Sequence, residues 1–193
     1  MLRPHRKSKN LILHVEQLTE KEFTHEFKEN PQTFPIIAEM VKNRECKFLE
    51  LLTIRLNAFR VRDLFEVQGT FWTSVRLACS RCLRDFNCPL TSDFELTYTK
   101  EMPGATDVYE DKEIELRAEE IGMIYFKGEE INLEQGIQEQ IVMAFPLQPL
   151  CNDNCKGLCP RCGSDLNRGD CGCKRESATN KFAVLKNLKL DKT

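Results

Sequence analysis

The sequence predicts an α+β protein: an antiparallel, β-rich body with a few helices and a C-terminal cysteine-rich segment. Three observations lead there. Between Leu51 and Tyr98 apolar residues recur at every second position, the period of half-buried strands. From Ile131 to Phe145 they recur at helical spacing. Eight of the ten cysteines fall into four close pairs, three of them between Cys151 and Cys173.

The elements follow in order. Leu11 to Leu18 reads as an opening strand. Thr19 to Glu29 is charged and helix-prone, and Pro31 and Pro35 break it. Pro35 to Glu45 is ambiguous. Leu52, Ile54, Leu56 and Ala58 alternate with Thr53, Arg55 and Asn57, so this stretch is a half-buried strand. A second strand runs from about Leu64 to Ala78, with Val67, Gly69, Phe71, Thr73, Val75 and Leu77 on one face. A third begins near Asp85 and is marked by Leu90, Phe94, Leu96 and Tyr98. The second and third strands form a hairpin with Cys79 and Cys82 at its tip. Met102 to Glu120 is an acidic loop, turned by Pro103 and Gly104, with one strand at Glu113 to Leu116. Ile131 to Phe145 is a helix with Asn132 as N-cap, and Leu133, Ile137 and Ile141 as its apolar stripe; Pro146 stops it. The organisation expected is a β-rich domain over 1–130, a helix over 131–146, a zinc-binding segment over 147–175 and a basic tail over 176–193.

At 193 residues the chain buries enough surface to fold without staples. No apolar run approaches the ~20 residues of a membrane span, and the apolar stretch after the basic start is too short for a secretion signal. The expected location is the cytoplasm. The net charge of −2 conceals a segregation: residues 101–139 hold twelve acids against three bases, and 147–193 hold nine bases against five acids. Basic ends on an acidic body suggest an anionic partner, although such runs also occur as plain solvated faces.

In a reducing compartment ten cysteines imply metal or redox use rather than disulfides. Cys79 and Cys82 are spaced C-x2-C, Cys151 and Cys155 C-x3-C, Cys159 and Cys162 C-x2-C, and Cys171 and Cys173 C-x-C. Such turns aim two sulfurs at one ion, and a following glycine such as Gly163 lets the backbone enter positive φ. Eight thiolates suffice for two structural zinc ions. The favoured partition places Cys159, Cys162, Cys171 and Cys173 on one ion, because they are local, and leaves Cys79, Cys82, Cys151 and Cys155 for the other. The rival joins Cys151 through Cys162 and gives Cys171 and Cys173 to the hairpin. Either way four thiolates close the coordination sphere, which makes the metal structural rather than catalytic. A thioredoxin-like site would stand between a strand and a helix, whereas Cys79 and Cys82 lie between two strands. Iron–sulfur spacings are not matched. Cys46 and Cys88 are read as packed thiols, and His5, His14 and His25 as surface or packing residues. With no phosphate-cradling glycine motif and no convincing nucleophile, the chain is not expected to be an enzyme, and no small-molecule substrate is evident.

The chain resembles the bacterial YceD family of large ribosomal RNA subunit accumulation proteins. The resemblance is carried by Val67-Gln68-Gly69-Thr70, Leu77-Ala78-Cys79-Ser80-Arg81-Cys82-Leu83, Ile131-Asn132-Leu133 and Ala144-Phe145-Pro146-Leu147. It continues through Lys156-Gly157-Leu158-Cys159-Pro160, Asp165-Leu166-Asn167 and the tail from Lys181 to Lys189. It implies a role in synthesis, processing or stability of large-subunit ribosomal RNA. Some family members lack the C-terminal cysteines, and Asn132 stands where an aspartate is frequent. Lys156, Arg161, Arg168, Lys174 and Arg175, with the tail lysines, are the candidate RNA phosphate contacts. The alternative is a protein-binding assembly factor that docks Phe182, Leu185 and Leu188 on a large-subunit ribosomal protein.

Overall fold

The structure, a computed structural model, describes residues 9–100 and 122–173. The expected strand at Glu113 to Leu116, the tail from 176 onward, and His5 lie outside these residues. Among the described residues the order is β1 (Ile12–His14), β2 (Phe23–Glu29), α1 (Pro35–Lys42), β3 (Lys47–Phe48), β4 (Leu52–Val61), β5 (Leu64–Ala78), β6 (Asp85–Thr99), β7 (Met123–Tyr125), β8 (Glu130–Asn132) and α2 (Glu134–Met143).

The main sheet runs β2-β4-β5-β6-β7, with β3 pairing on β5. Its backbone is the β5–β6 hairpin, paired without interruption from Leu64↔Thr99 to Ala78↔Asp85. The alternation read from sequence is realised here: Leu52, Ile54, Leu56 and Ala58 are fully buried, as are Val67, Phe71 and Val75. Neighbouring strands are antiparallel except β7, which lies parallel to β6. A second, two-stranded sheet pairs β1 with β8.

Three elements depart from the sequence reading. Thr19 to Glu29 is not helical; its second half is β2, paired with β4 from Phe23↔Ala58 to Glu29↔Leu52. The open edge of β4 supplies ladder bonds that outweigh a weak helical propensity, and Phe27 enters the core. His25 lies between Phe23 and Phe27, with ring centroids 6.0 and 5.1 Å away. Pro35 to Lys42, ambiguous in sequence, is a helix. The second helix begins at Glu134 rather than Ile131, because Ile131 and Asn132 are held in β8 by β1. Asn132 still serves the helix start, its Oδ1 accepting the Glu134 N–H at 2.9 Å.

Helix α2 lies on the sheet with Ile137 and Ile141 fully buried, as is Leu133 immediately before it. A Cβ on Gly136 would come within 2.8 Å of both Leu96 Cδ1 and Tyr98 Oη, so the absence of a side chain there sets the helix-to-sheet distance. Gln138 joins the two helices: its Oε1 accepts the Ile36 N–H at 2.8 Å, satisfying a donor in the first turn of α1. The end of α2 then directs the chain back across the β5–β6 tip, where Ser80 N–H and Oγ both donate to Pro149 O.

Candidate metal centres

The tip of the β5–β6 hairpin is a knuckle. Leu83 N–H donates to Cys79 O and Cys79 N–H to Arg84 O, both at 2.9 Å. The same bonds recur at the second C-x2-C, where Gly163 N–H donates to Cys159 O and Cys159 N–H to Ser164 O, both at 2.8 Å. Both turns end in positive φ, 73° at Gly163 and 58° at Leu83. Glycine takes this conformation freely, whereas leucine accepts backbone strain of roughly 1–2 kcal/mol to close the turn.

The thiols gather into two groups of four: Cys79, Cys82, Cys151 and Cys155, and Cys159, Cys162, Cys171 and Cys173. Within each group all sulfurs lie within 4.8 Å of one another. Cys82 Sγ is 3.6 Å from Cys151 Sγ, and Cys79 Sγ is 3.8 Å from Cys155 Sγ. A disulfide needs about 2.05 Å. Four sulfurs about 2.3 Å from a tetrahedral zinc ion stand about 3.8 Å apart, so the donor set and its spacing fit such an ion. The first of the two partitions allowed by spacing is the one the fold assembles. The first cluster is largely enclosed, with only Cys151 half-buried; in the second, Cys162 is exposed and Cys171 and Cys173 are half-buried.

The electrostatics show why each cluster suits a cation. Burial opposes ionisation of Cys79, but backbone groups of Cys151, Cys82 and Arg81 outweigh it and bring the thiol down to about 6. Cys82 is lowered by the backbone and side chain of Arg84. Burial and the neighbouring thiols push Cys151 up to about 12. The second cluster repeats the division. The Ser164 hydroxyl and backbone lower Cys162 to about 6, and backbone groups of Cys162 and Arg161 lower Cys159. Cys173 is pushed up to about 12 by Cys162, then Cys171, and Cys171 is itself raised. Neighbouring thiolates repel, so some stay protonated until a cation displaces the protons.

The two clusters are joined by residues that sequence reasoning marked only as family resemblance or passed over. Arg81 O accepts the Leu158 N–H at 3.1 Å, and Arg81 Nη1 donates to Cys155 O at 2.9 Å. Arg84 Nε stands 3.3 Å from Asp165 Oδ2. Asn167 Oδ1 accepts the Lys156 N–H at 2.8 Å, while its Nδ2 donates to Cys155 Sγ at 3.5 Å. Asp165 and Asn167 thereby fix the second knuckle against the sulfur of the first. The Asp165 carboxyl is held below its ordinary range by the Asn167 backbone and side chain, and by Arg84 and Arg168.

Lys156, Arg161 and Arg168 are exposed on this second unit. Lys156 and Arg161 border a cleft of about 980 Å³ whose wall includes Cys159, Cys171 and Cys173. Arg168 Nε lies 3.8 Å from Asp165 Oδ2. Lys174 and Arg175 lie outside the described residues. Cys46 and Cys88 join neither cluster: Cys46 is buried, and burial with Glu45 nearby raises its thiol to about 11. His14 lies 3.7 Å from Glu130.

Comparison with known proteins accords with this geometry. The family model described as "Large ribosomal RNA subunit accumulation protein YceD" matches residues 67–189, which includes both knuckles and all eight clustered thiols. A chloroplastic protein of Arabidopsis thaliana named YCED homolog 1 is 25% identical over 153 residues, 70% of this chain and 48% of that protein. Its counterpart of the same name in Zea mays is 24% identical over 148 residues, 63% of this chain and 48% of that protein. An uncharacterised protein of Mycobacterium tuberculosis is 30% identical over 135 residues, 70% of this chain and 60% of its own length. The chain thus spans about half to three fifths of these relatives. No solved structure matches. With 67–189 covered by one family model, and the motifs of that span building the paired knuckles, the chain belongs to the YceD family.

Proposed function

We propose that this chain is a zinc-binding, non-catalytic factor that supports synthesis, processing or stability of large-subunit ribosomal RNA by binding the RNA or a pre-ribosomal particle in the cytoplasm. The observation that carries the reading is the pair of four-thiol clusters, the second presenting Lys156, Arg161 and Arg168 on its outer side. The family description and the names of the plant relatives supply the ribosomal context. Two zinc ions, one per cluster, would lock the knuckles, and four thiolates per ion leave no position for a reacting water. The exposed bases would take RNA phosphates without reading sequence.

Ultraviolet crosslinking of the tagged protein in growing cells, followed by sequencing of the attached RNA, tests this reading. Large-subunit ribosomal RNA is the expected enrichment. Reversal of Lys156, Arg161 and Arg168 to glutamate should cut association steeply and flatten its salt dependence, by about one unit of slope per missing phosphate contact. Unchanged association would remove these residues from the interface. Absence of ribosomal RNA beside a positive control would favour the protein-docking alternative.

A further inference from the structure

The outer face of the main sheet carries features that the clusters do not use. Trp72, the chain's single tryptophan, stands on β5 and is 38% exposed. A lone exposed aromatic is ordinary; its surroundings here are more specific. Its cross-strand partners are Thr53 on β4 and Thr91 on β6, so the ring is flanked by small polar residues. The Arg55 guanidinium lies 6.0 Å from the ring centroid, and its Nη2 stands 2.7 Å from Glu26 Oε2. Towards the hairpin tip Arg76 is paired with Lys47. Beyond Thr53 lies Lys28, and Lys28, Lys47, Leu51 and Thr53 line a cleft of about 730 Å³. In the other direction Asp93 and Glu95 are occupied by Thr70 at 2.6 Å and Gln68 at 3.2 Å. Lys28, Lys47 and Arg76 thus lie on the side of Trp72 towards β2 and the tip, interspersed with Glu26, Glu50 and Asp85, while Asp93 and Glu95 lie on the other side.

We infer that this face is a second nucleic-acid contact, a platform for single-stranded RNA on which a base stacks against Trp72. Lys28, Lys47 and Arg76 would take the flanking phosphates, while Arg55, held by Glu26, stays against the ring. Stacking suits single strands because their bases are free to splay, and every base offers a π-face. A cleft of this size admits a nucleotide, and its two lysines outnumber its one carboxylate, Glu50. From Trp72 the strand leads about 20 Å to the cysteine tip, so one extended single strand could run from the platform towards Arg81 and the second knuckle. That the RNA is ribosomal rests on the function proposed above; the platform itself does not.

The full-length, zinc-loaded chain tests the inference without a label on the protein, because its tryptophan emission comes from Trp72 alone. Titration with a short single-stranded oligoadenylate should quench that emission to saturation, and added salt should reverse the effect. Trp72→Ala should weaken binding roughly 10- to 100-fold, and Trp72→Phe much less. Binding detected by anisotropy of a labelled strand, with Trp72 emission unchanged, would overturn the platform while leaving RNA binding at the knuckle intact. Quenching by the oligonucleotide in a protein that crosslinks no ribosomal RNA in cells would support the platform and sink the ribosomal reading. Failure to bind any single strand, or emission that responds only to a protein partner, would overturn the inference.

Discussion

Replacing Cys151 and Cys155 together with serine cuts the tie between the β5–β6 tip and the segment after α2. The substitution removes the Cys82–Cys151 and Cys79–Cys155 pairs, which join positions 69 and 76 residues apart in sequence. A cross-link closing a loop of about 70 residues restricts the unfolded chain by about 4 kcal/mol. For a chain of this size each kcal/mol moves the melting temperature by roughly 2–4 °C, so the zinc-loaded variant should melt on the order of 10 °C below the parent. The melt is read from Trp72 emission and from far-ultraviolet circular dichroism. Replacing Cys171 and Cys173 is the matched control. Those thiols close onto Cys159 and Cys162, within a segment of only fifteen residues that lies outside the main sheet. Its loss should leave the Trp72 transition within about 2 °C of the parent, since the change lies outside the unit that Trp72 reports. If the control lowers that transition as far as the first variant does, the clusters are not partitioned this way and the long-range tie is refuted.

Further outcomes follow from the same geometry. Purified protein should carry two zinc ions, and zinc should be lost on acidification. Cys151 and Cys173, each pushed up to about 12, hold protons at neutral pH that the metal must displace, so affinity rises with pH. The ion bound by exposed Cys162 should leave first, and retention independent of pH, followed with a chromophoric chelator, would refute this. Cys46, buried and raised to about 11, should be the last thiol alkylated by iodoacetamide in a folded, metal-loaded chain at pH 8, as mass spectrometry of timed digests would show. Asp165→Asn should loosen the second knuckle, detected by faster amide exchange over 156–167. The carboxyl's pKa is lowered in the fold, so its contribution is complete above about pH 4 and fades as pH falls through the lowered value. Arg84→Gln leaving amide exchange over 156–167 unchanged at neutral pH would count against the Arg84–Asp165 contact. Leu83→Gly should raise stability by up to about 1 kcal/mol by relieving the 58° φ, measured by urea unfolding.

Sequence alone located β4, β5, β6 and the cysteine tip, because these depend on contiguous residues. Alternation of period two selects a strand, and C-x2-C with a turn selects a knuckle whatever else the chain does. It also grouped eight thiols and left Cys46 and Cys88 aside. Other features depended on long-range pairing. The segment before Pro31 reads as helix by composition, yet becomes β2 because β4 offers it an edge. The start of the second helix was shortened by β1, which claims Ile131 and Asn132. Locality already favoured the first of the two cysteine partitions, and the return of the chain from α2 across the hairpin tip realises it by bringing Cys151 and Cys155 to Cys79 and Cys82. Asp165 and Asn167 likewise acquire meaning only beside Arg84 and Cys155. Local spacing fixes which turns form, because it needs no distant partner; which turns share an ion depends on closing loops of about 70 residues, and the packed sheet and helix decide that.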